Sequence, residues 1–245
     1  MKFTYTKVEG FEPAIVGIRL NMSKDFKDAV SKIDGKMWAN AEHTAGVFII
    51  GPDDMRICKT LINADNSQKV AGEPNSKFLQ MIEVWVCVEA PLCFWKEADT
   101  YRHSVKSSTS TMHRIQKYII DETCFEPKPT TGKISSLIDI KRLEETRQKY
   151  NETKDKDLWY ELIYGLGDSW LQTRMWHFNY ATLRNICKWR ESHKQNCWSG
   201  KDNQEMENFI SWAKTLPYAD QLIFDSTEEY CVEKELERQL GWSSE

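Results

Sequence analysis

Residues 82–91, with the sequence IEVWVCVEAP, carry the pattern that decides the fold. Every second position holds a β-branched aliphatic residue: Ile82, Val84, Val86 and Val88. This alternation is typical of a β-strand that turns one face toward the core. Pro91 ends the strand and suits the first turn of a helix, because its φ is fixed near the helical value. A strand followed by a helix is therefore predicted here.

A hydroxyl-rich stretch follows the predicted helix. Residues 102–114 read RHSVKSSTSTMHR, and six of the eight residues from 104 to 111 carry a hydroxyl group. A loop is predicted, because serine and threonine side chains compete for backbone hydrogen bonds and weaken a helix. Arg102 and Arg114 bracket this loop, and an arginine fork can hold a phosphate through two parallel hydrogen bonds.

A second segment, residues 179–197, is predicted to be an amphipathic helix. One face carries residues at helical spacing: Leu183, Ile186, Cys187 and Arg190. An arginine that continues an apolar stripe must be paired, because an unpaired buried guanidinium is costly. Two interpretations stay open. A phosphorylated ligand could lie between this helix and the 102–114 loop, or the loop is simply solvated and the arginine pairs with an acid.

Charge distribution favours a small anionic ligand over a nucleic acid. The chain has 245 residues, with 33 basic and 37 acidic side chains and a net charge of −4. Residues 102–117 carry a net +4, residues 184–201 a net +4, and residues 202–245 a net −8. Because the positive charge is confined to two short segments, neither a long nucleic-acid track nor binding to an acidic membrane is expected.

Length and composition predict one domain over residues 1–245, with a surface insertion at about 121–157 and an acidic helical C-terminal tail. The longest apolar stretch, residues 45–51, is far short of the ~20 residues of a membrane-spanning helix. Further helices are predicted at 53–64 and 141–153, a weak strand at 15–20 and a loop at 71–76. Two or three more helices are expected after residue 203.

Seven cysteines, with no CxxC pair, favour free thiols in a reducing cytoplasm. A zinc site built from Cys187, His193 and Cys197 is the alternative, although no paired-cysteine knuckle supports it. The sequence contains no HExxH, GxSxG or Walker A motif, so the common zinc-protease, hydrolase and nucleotide-triphosphatase sites are not indicated.

Two ordered blocks of the sequence resemble the flavin-dependent thymidylate synthases, from about residue 10 to about residue 225. The first block is the strand ending in Ala90-Pro91, a helix, the run YRHS at 101–104 and then Arg114. The second block is Asn179, a second asparagine six residues later and Arg190 eleven residues later. Both blocks have the internal spacing of the family.

The resemblance implies an α+β fold with a small, mainly antiparallel sheet packed by helices. It also implies FAD as cofactor, dUMP as substrate, and a homotetramer with active sites at its interfaces. The residues that would hold FAD are Arg102, His103, Asn179 and Asn185. The residues that would hold the nucleotide are Arg114, Arg190, Ser110 and Arg174.

The sequence departs from the family at several positions. Ser104 stands where the family has a second arginine, Met112 where it has a serine, and Ala181 where it has an arginine. Three hypotheses follow: a flavoenzyme that methylates C5 of a deoxyuridine nucleotide, a non-catalytic nucleotide-binding protein of the same fold, or an interaction protein with no small ligand.

Overall fold

The computed structural model describes residues 1–39, 46–68 and 75–241. Residues 71–74 of the predicted loop at 71–76 lie outside these ranges. The strands are β1 Lys2–Glu9, β2 Lys36–Trp38, β3 Val47–Ile49, β4 Glu83–Pro91, β5 Ser104–Ser108 and β6 Leu171–Asn179. The helices are α1 Phe11–Leu20, α2 Phe26–Ser31, α3 Pro52–Gln68, α4 Leu92–Ala98, α5 Thr111–Arg114, α6 Ile140–Thr153, α7 Lys156–Gly165, α8 Tyr180–Arg190, α9 Asn196–Ser199, α10 Phe209–Lys214, α11 Ala219–Leu222 and α12 Val232–Leu240.

The fold is α+β, as predicted, with a small antiparallel sheet among many helices. Four strands form one sheet in the order β1-β4-β6-β5, and β2 pairs with β3 in a separate antiparallel ribbon. Strand β4 is central, and its residues Val84, Val86 and Val88 are fully buried. The strand predicted over residues 82–89, with one core face, is thus confirmed; it begins at Glu83 and continues through Ala90-Pro91.

The chain forms two compact units. The first contains residues 1–6, 85–177 and 190–212. Its core is aromatic, and its fully buried rings include Phe94, Trp95, Trp176, Trp198 and Phe209. The Phe94 and Trp198 ring centroids are 4.1 Å apart, and those of Trp176 and Phe209 are 5.7 Å apart. Three tryptophans of the sequence therefore lie in this core.

The second unit contains residues 7–84, 178–189 and 213–245. It buries Arg184, which is only 4% exposed. The guanidinium of Arg184 donates to the carbonyl oxygen of Ile223 at 3.1 Å and to the carboxylate of Asp225 at 2.5 Å. Helix α12 of the acidic tail packs Leu236 against Ile49 in this unit. The single-domain organisation stays a prediction.

Three local expectations are wrong. Residues 15–20 belong to helix α1, in which Ala14, Ile15 and Ile18 are buried on one helical face. The hydroxyl-rich stretch is strand β5 followed by helix α5, since an edge strand accepts serine and threonine when a neighbour supplies the hydrogen bonds. The predicted helix over 179–197 ends at Arg190, whose carbonyl oxygen accepts the N–H of His193 at 3.1 Å.

The helices predicted at 53–64 and 141–153 are confirmed as α3 and α6. Helix α6 packs against the segment that follows α5. Glu144 accepts the backbone N–H of Ile120 at 2.9 Å, and Arg147 and Asn151 both donate to the carbonyl oxygen of Gln116. Residues 121–157 are therefore joined to the segment 115–120 by polar contacts as well as by burial of Leu143.

The Glu144–Arg147 pair predicts a specific acid sensitivity. The ion pair with Arg147, with the N–H of Ile120 as a further donor, lowers the pKa of Glu144 to about 2. An unfolded glutamate titrates near pH 4.3, so this carboxylate stabilises the fold fully above that pH and progressively less as the pH falls toward 2. Glu144→Gln should lower the free energy of unfolding by about 1–2 kcal/mol at pH 7. Between pH 4.5 and 3, the free energy of unfolding of this variant should also fall less steeply than that of the wild type. Urea unfolding at each pH measures both.

The matched control is Glu145→Gln, because Glu145 is exposed and lies 3.9 Å from Lys141 in a surface pair. This variant should keep both the wild-type stability and the wild-type pH slope. Equal acid slopes for the wild type and Glu144→Gln would contradict the assignment.

Candidate functional site

A cavity of about 480 Å³ lies in the first unit. Its polar lining comes from β4, β6 and the segment around α5: Glu89, Thr109, Ser110, Thr111, Arg114 and Thr173. Its apolar wall includes Ile115, Tyr118, Ile119, Trp170 and Leu171. A volume of this size with a few converging polar groups is typical of a small-molecule site.

Hydrogen bonds to β6 hold the segment 109–111 in place. The backbone N–H of Thr109 donates to the carbonyl oxygen of Thr173 at 2.9 Å. The side-chain amide of Gln172 donates to the carbonyl oxygen of Thr109 at 3.1 Å and to Oγ1 of Thr111 at 3.3 Å. Ser110 caps α5, and its Oγ accepts the N–H of His113 at 3.3 Å. Because Ser110 and Thr111 accept in these bonds, each hydroxyl keeps its own proton to donate to a ligand.

Arg114 supplies the positive charge of the cavity. Its guanidinium lies 5.2 Å from the ring centroid of Tyr118 and donates to the Tyr118 hydroxyl. Over residues 1–39, 46–68 and 75–241, no carboxylate lies within ion-pairing distance of Arg114. Most of its N–H donors are therefore left for an anionic group, which arginine binds in a planar, bidentate geometry.

Glu89 places a carboxylate in the same cavity. The hydroxyl of Thr173 donates to Oε2 of Glu89 at 3.4 Å. The remaining lone pairs of Glu89 can accept an N–H or O–H group of a ligand. The cavity is thus suited to a molecule that carries both an anionic group and hydrogen-bond donors.

Arg190 lies outside the lining of this cavity and is paired with an acid. Its NH1 lies 2.5 Å from a carboxylate oxygen of Glu97, and its Nε donates to the hydroxyl of Tyr101 at 2.7 Å. The guanidinium also stacks 4.8 Å from the ring centroid of Trp198. Burial lowers the pKa of the neighbouring His193, whose Nε2 is 3.5 Å from the same Glu97. The predicted pairing of this arginine with an acid is confirmed.

Arg174 is likewise neutralised. Its NH1 lies 3.0 and 3.1 Å from the two carboxylate oxygens of Asp99, and its Nε donates to Oε1 of Gln172 at 2.9 Å. The guanidinium lies 4.6 Å from the ring centroid of Trp95. Lys106 approaches the same Asp99 at 3.4 Å, and burial lowers the pKa of that lysine.

Arg102 and His103 lie in an exposed turn between α4 and β5. His103 has a φ of 59°, in the left-handed region that non-glycine residues rarely occupy. Within the part of the chain that the structure describes, neither residue forms an ion pair. Both side chains are therefore accessible to a ligand.

Asn179 and Asn185 belong to the second unit. Oδ1 of Asn179 accepts the backbone N–H of Thr182 at 2.9 Å and so caps α8. The amide nitrogen of Asn179 is the part of that side chain that is left to donate. Asn185 is exposed on α8.

The structure brings two of the predicted residues, Ser110 and Arg114, to one cavity. The residues that the sequence did not single out are Glu89, Thr111, Tyr118 and Thr173. Thr111 could have been identified from the sequence, since it belongs to the hydroxyl-rich stretch. No sequence pattern marks Glu89 and Thr173 as site residues, because outward-facing polar residues on strands are common.

No group of three or more histidine, cysteine, aspartate or glutamate side chains that could hold a metal ion occurs in residues 1–39, 46–68 and 75–241. In those same ranges, no helix has the length and apolar character needed to cross a bilayer.

Comparison with solved structures identifies the fold. A flavin-dependent thymidylate synthase from Helicobacter pylori, complexed with FAD and dUMP, superposes with a TM-score of 0.58 at 15% identity, over 93% of this chain and 100% of that chain. Another structure of the Helicobacter pylori enzyme with FAD and dUMP gives 0.58 at 16% identity, over 92% and 98%. A UMP/dUMP methylase from Streptomyces cacaoi gives 0.48 at 12% identity, over 92% and 94%.

The sequence itself matches no family model and no curated protein. The chain nevertheless has the fold of the flavin-dependent thymidylate synthases over nearly its whole length. The resemblance seen in the sequence is therefore confirmed at the level of the fold, and the predicted roles of individual residues stay predictions.

Because Arg190 is paired with Glu97, replacing Arg190 is expected to lower the stability of the fold. Arg190→Ala should lower the free energy of unfolding by about 2–4 kcal/mol, because it leaves Glu97 partly buried without its partner. Arg114→Ala is the matched control and should change stability by less than about 0.5 kcal/mol, since Arg114 is exposed. Urea unfolding measures both variants. Wild-type stability in Arg190→Ala would show that the pair is not structural.

Proposed function

We propose that this protein binds a deoxyuridine-type nucleotide in the cavity around Arg114, and that with a bound flavin it methylates the nucleotide at C5. One observation carries the proposal. Ser110 and Arg114 line a single cavity, in a fold that holds FAD and dUMP in the Helicobacter pylori enzyme. Activity on C5 rests on the likeness of fold and on the sequence resemblance.

The phosphate of the nucleotide is assigned to the Arg114 end of the cavity. Arginine binds a phosphate through two parallel charge-assisted hydrogen bonds. The hydroxyl protons of Ser110 and Thr111 add neutral donors at the same end. Because no carboxylate pairs with Arg114 among the described residues, a phosphate would not have to displace an existing partner.

The nucleoside is assigned to the wall that carries Glu89. A carboxylate accepts hydrogen bonds but donates none when it is ionised, so Glu89 fits the N–H of a pyrimidine or a sugar hydroxyl. It would repel a second phosphate, which favours a monophosphate over a di- or triphosphate. Tyr118 and Trp170 offer ring surface in the lining of the same cavity.

Flavin is assigned to the turn that carries Arg102 and His103. Both side chains are exposed and free of ion pairs among the described residues, and a guanidinium with an imidazole suits an anionic pyrophosphate. When bound, the flavin supplies the redox chemistry, and the protein supplies orientation and charge. The flavin role of Asn179 and Asn185, the homotetramer and the cytoplasmic location are carried forward as proposals from the sequence resemblance.

A specific observation favours the second candidate, a nucleotide-binding protein without catalysis. Arg174 and Arg190, two of the predicted nucleotide residues, are neutralised by Asp99 and Glu97. Ser104 also stands in place of a family arginine in the Arg102 turn. If these groups are essential for the reaction, nucleotide binding survives and methylation does not.

Nucleotide binding is tested by isothermal titration of the purified protein with dUMP. Arg114→Ala should weaken binding about 10- to 100-fold, because a charged hydrogen-bonding group is lost. Lys117→Ala removes the same charge from an exposed neighbour that does not line the cavity, and should bind as the wild type does. Absence of dUMP binding by the wild type, or equal losses in both variants, would reject the assignment.

Flavin binding is tested separately by the absorbance of the purified protein after incubation with FAD. The wild type should retain bound flavin, and Arg102→Ala should lose most of it while still binding dUMP. A colourless wild-type protein that takes up no FAD, yet binds dUMP, would reject the flavin-dependent reaction. It would leave the non-catalytic function as the conclusion.

A further inference from the structure

A second cavity of about 340 Å³ lies in the first unit, apart from the cavity around Arg114. Two cysteines, Cys93 and Cys197, line it together with Glu126, Asp168 and Lys194. None of the residues that line the first cavity is shared with it. The proposed nucleotide function makes no use of these thiols.

The aromatic core brings the two thiols together. Cys93 is in the first turn of α4, where its N–H donates to the carbonyl oxygen of Asp168 at 3.0 Å. Cys197 lies in α9, and the neighbouring residues Phe94 and Trp198 pack with ring centroids 4.1 Å apart. The side chains of Cys93 and Cys197 therefore line the same cavity.

The two thiols are not equivalent. Cys93 is half-buried, whereas Cys197 is only 8% exposed. The neighbouring Cys197 thiol lowers the pKa of Cys93, whereas the Cys93 thiol and burial together raise the pKa of Cys197. Cys93 is therefore the thiol that ionises and reacts, with Cys197 poised beside it.

Two acids face Cys93 and oppose its ionisation, Asp168 and Glu126. Each is paired with a cation. Lys96 lies 2.5 Å from the carboxylate of Asp168, and the amine of Met1 lies 2.5 Å from that of Glu126. Lys194 adds a positive charge to the lining. The negative charge near Cys93 is therefore largely offset.

We propose that Cys93 and Cys197 form a thiol oxidation site that reacts with small peroxides entering this cavity. The Cys93 thiolate attacks one oxygen of the peroxide, the O–O bond breaks, and Cys93 becomes a sulfenic acid while hydroxide leaves. The Cys197 sulfur then attacks the Cys93 sulfur, an S–S bond forms, and the sulfenic oxygen leaves as water. Overall, two thiols and one hydrogen peroxide give one disulfide and two waters.

The disulfide would join α4 to α9. Glu97 on α4 and Trp198 on α9 both contact the guanidinium of Arg190. The bond would also close a loop of about 100 residues, which restricts the unfolded chain. We expect oxidation to raise the midpoint of urea unfolding, and a thiol reductant to return it to its original value.

The test treats the intact protein with one equivalent of hydrogen peroxide and then blocks the remaining thiols with iodoacetamide. Cleavage after glutamate, without reductant, separates Cys93 from Cys87 and places it in the peptide 90–97, with Cys197 in 192–205. The expected product is these two peptides joined by a disulfide. Without peroxide, iodoacetamide should alkylate Cys93 about tenfold faster than Cys124, whose pKa is raised by burial.

Variants separate the two roles. Cys197→Ser should leave a sulfenic acid on Cys93 that dimedone captures, and Cys124→Ser should form the disulfide as the wild type does. Cys93→Ser should form no crosslink; if that variant does not fold, the dimedone result on Cys197→Ser decides alone. A wild type without the 93–197 crosslink, a crosslink to another cysteine, or no dimedone capture at Cys93 would overturn the proposal.

Discussion

The packing of Trp198 against Phe94 is the contact on which the first unit depends. The Trp198 ring is fully buried and lies 4.1 Å from Phe94 and 5.2 Å from Phe209, measured between ring centroids. Its outer face receives the guanidinium of Arg190. Aromatic rings bury a large area and prefer defined mutual angles, so this cluster fixes α4 as well as filling the core. Helix α4 in turn determines where Cys93 and Glu97 lie.

Ion pairing divides the arginines of the first unit into two groups with different consequences. Arg174 and Arg190 are held by Asp99 and Glu97, stack on tryptophan rings, and stabilise the aromatic core. Arg102 and Arg114 are exposed and lack acidic partners among the described residues. A guanidinium already paired with a carboxylate must lose that interaction before it can bind a phosphate. Arg102 and Arg114 could therefore bind an anion without losing an existing acidic partner.

Sequence reasoning succeeded where periodicity was strong and local. Strand β4 and helix α3 were predicted because their apolar residues recur at regular spacing, and helix α6 was predicted as an exposed helix in a polar segment. The loop prediction for the hydroxyl-rich stretch was wrong, because β5 depends on hydrogen bonding to another strand that is distant along the chain. Arg190 could be predicted to pair with an acid, but its partner Glu97 lies 93 residues away. No local pattern identifies such a partner.

The sequence by itself determined the buried face of β4 and the residue types that can bind anions, since these follow from side-chain chemistry and short-range spacing. The α+β fold class was implied by the resemblance to the flavin-dependent thymidylate synthases. Only the tertiary structure decided which arginines are free. It also decided that Ser110 and Arg114 share a cavity with Glu89, and that Cys93 and Cys197 share a second cavity. Each of these outcomes depends on groups brought together across the chain by burial of the aromatic core, and burial of that kind leaves no signature in local spacing.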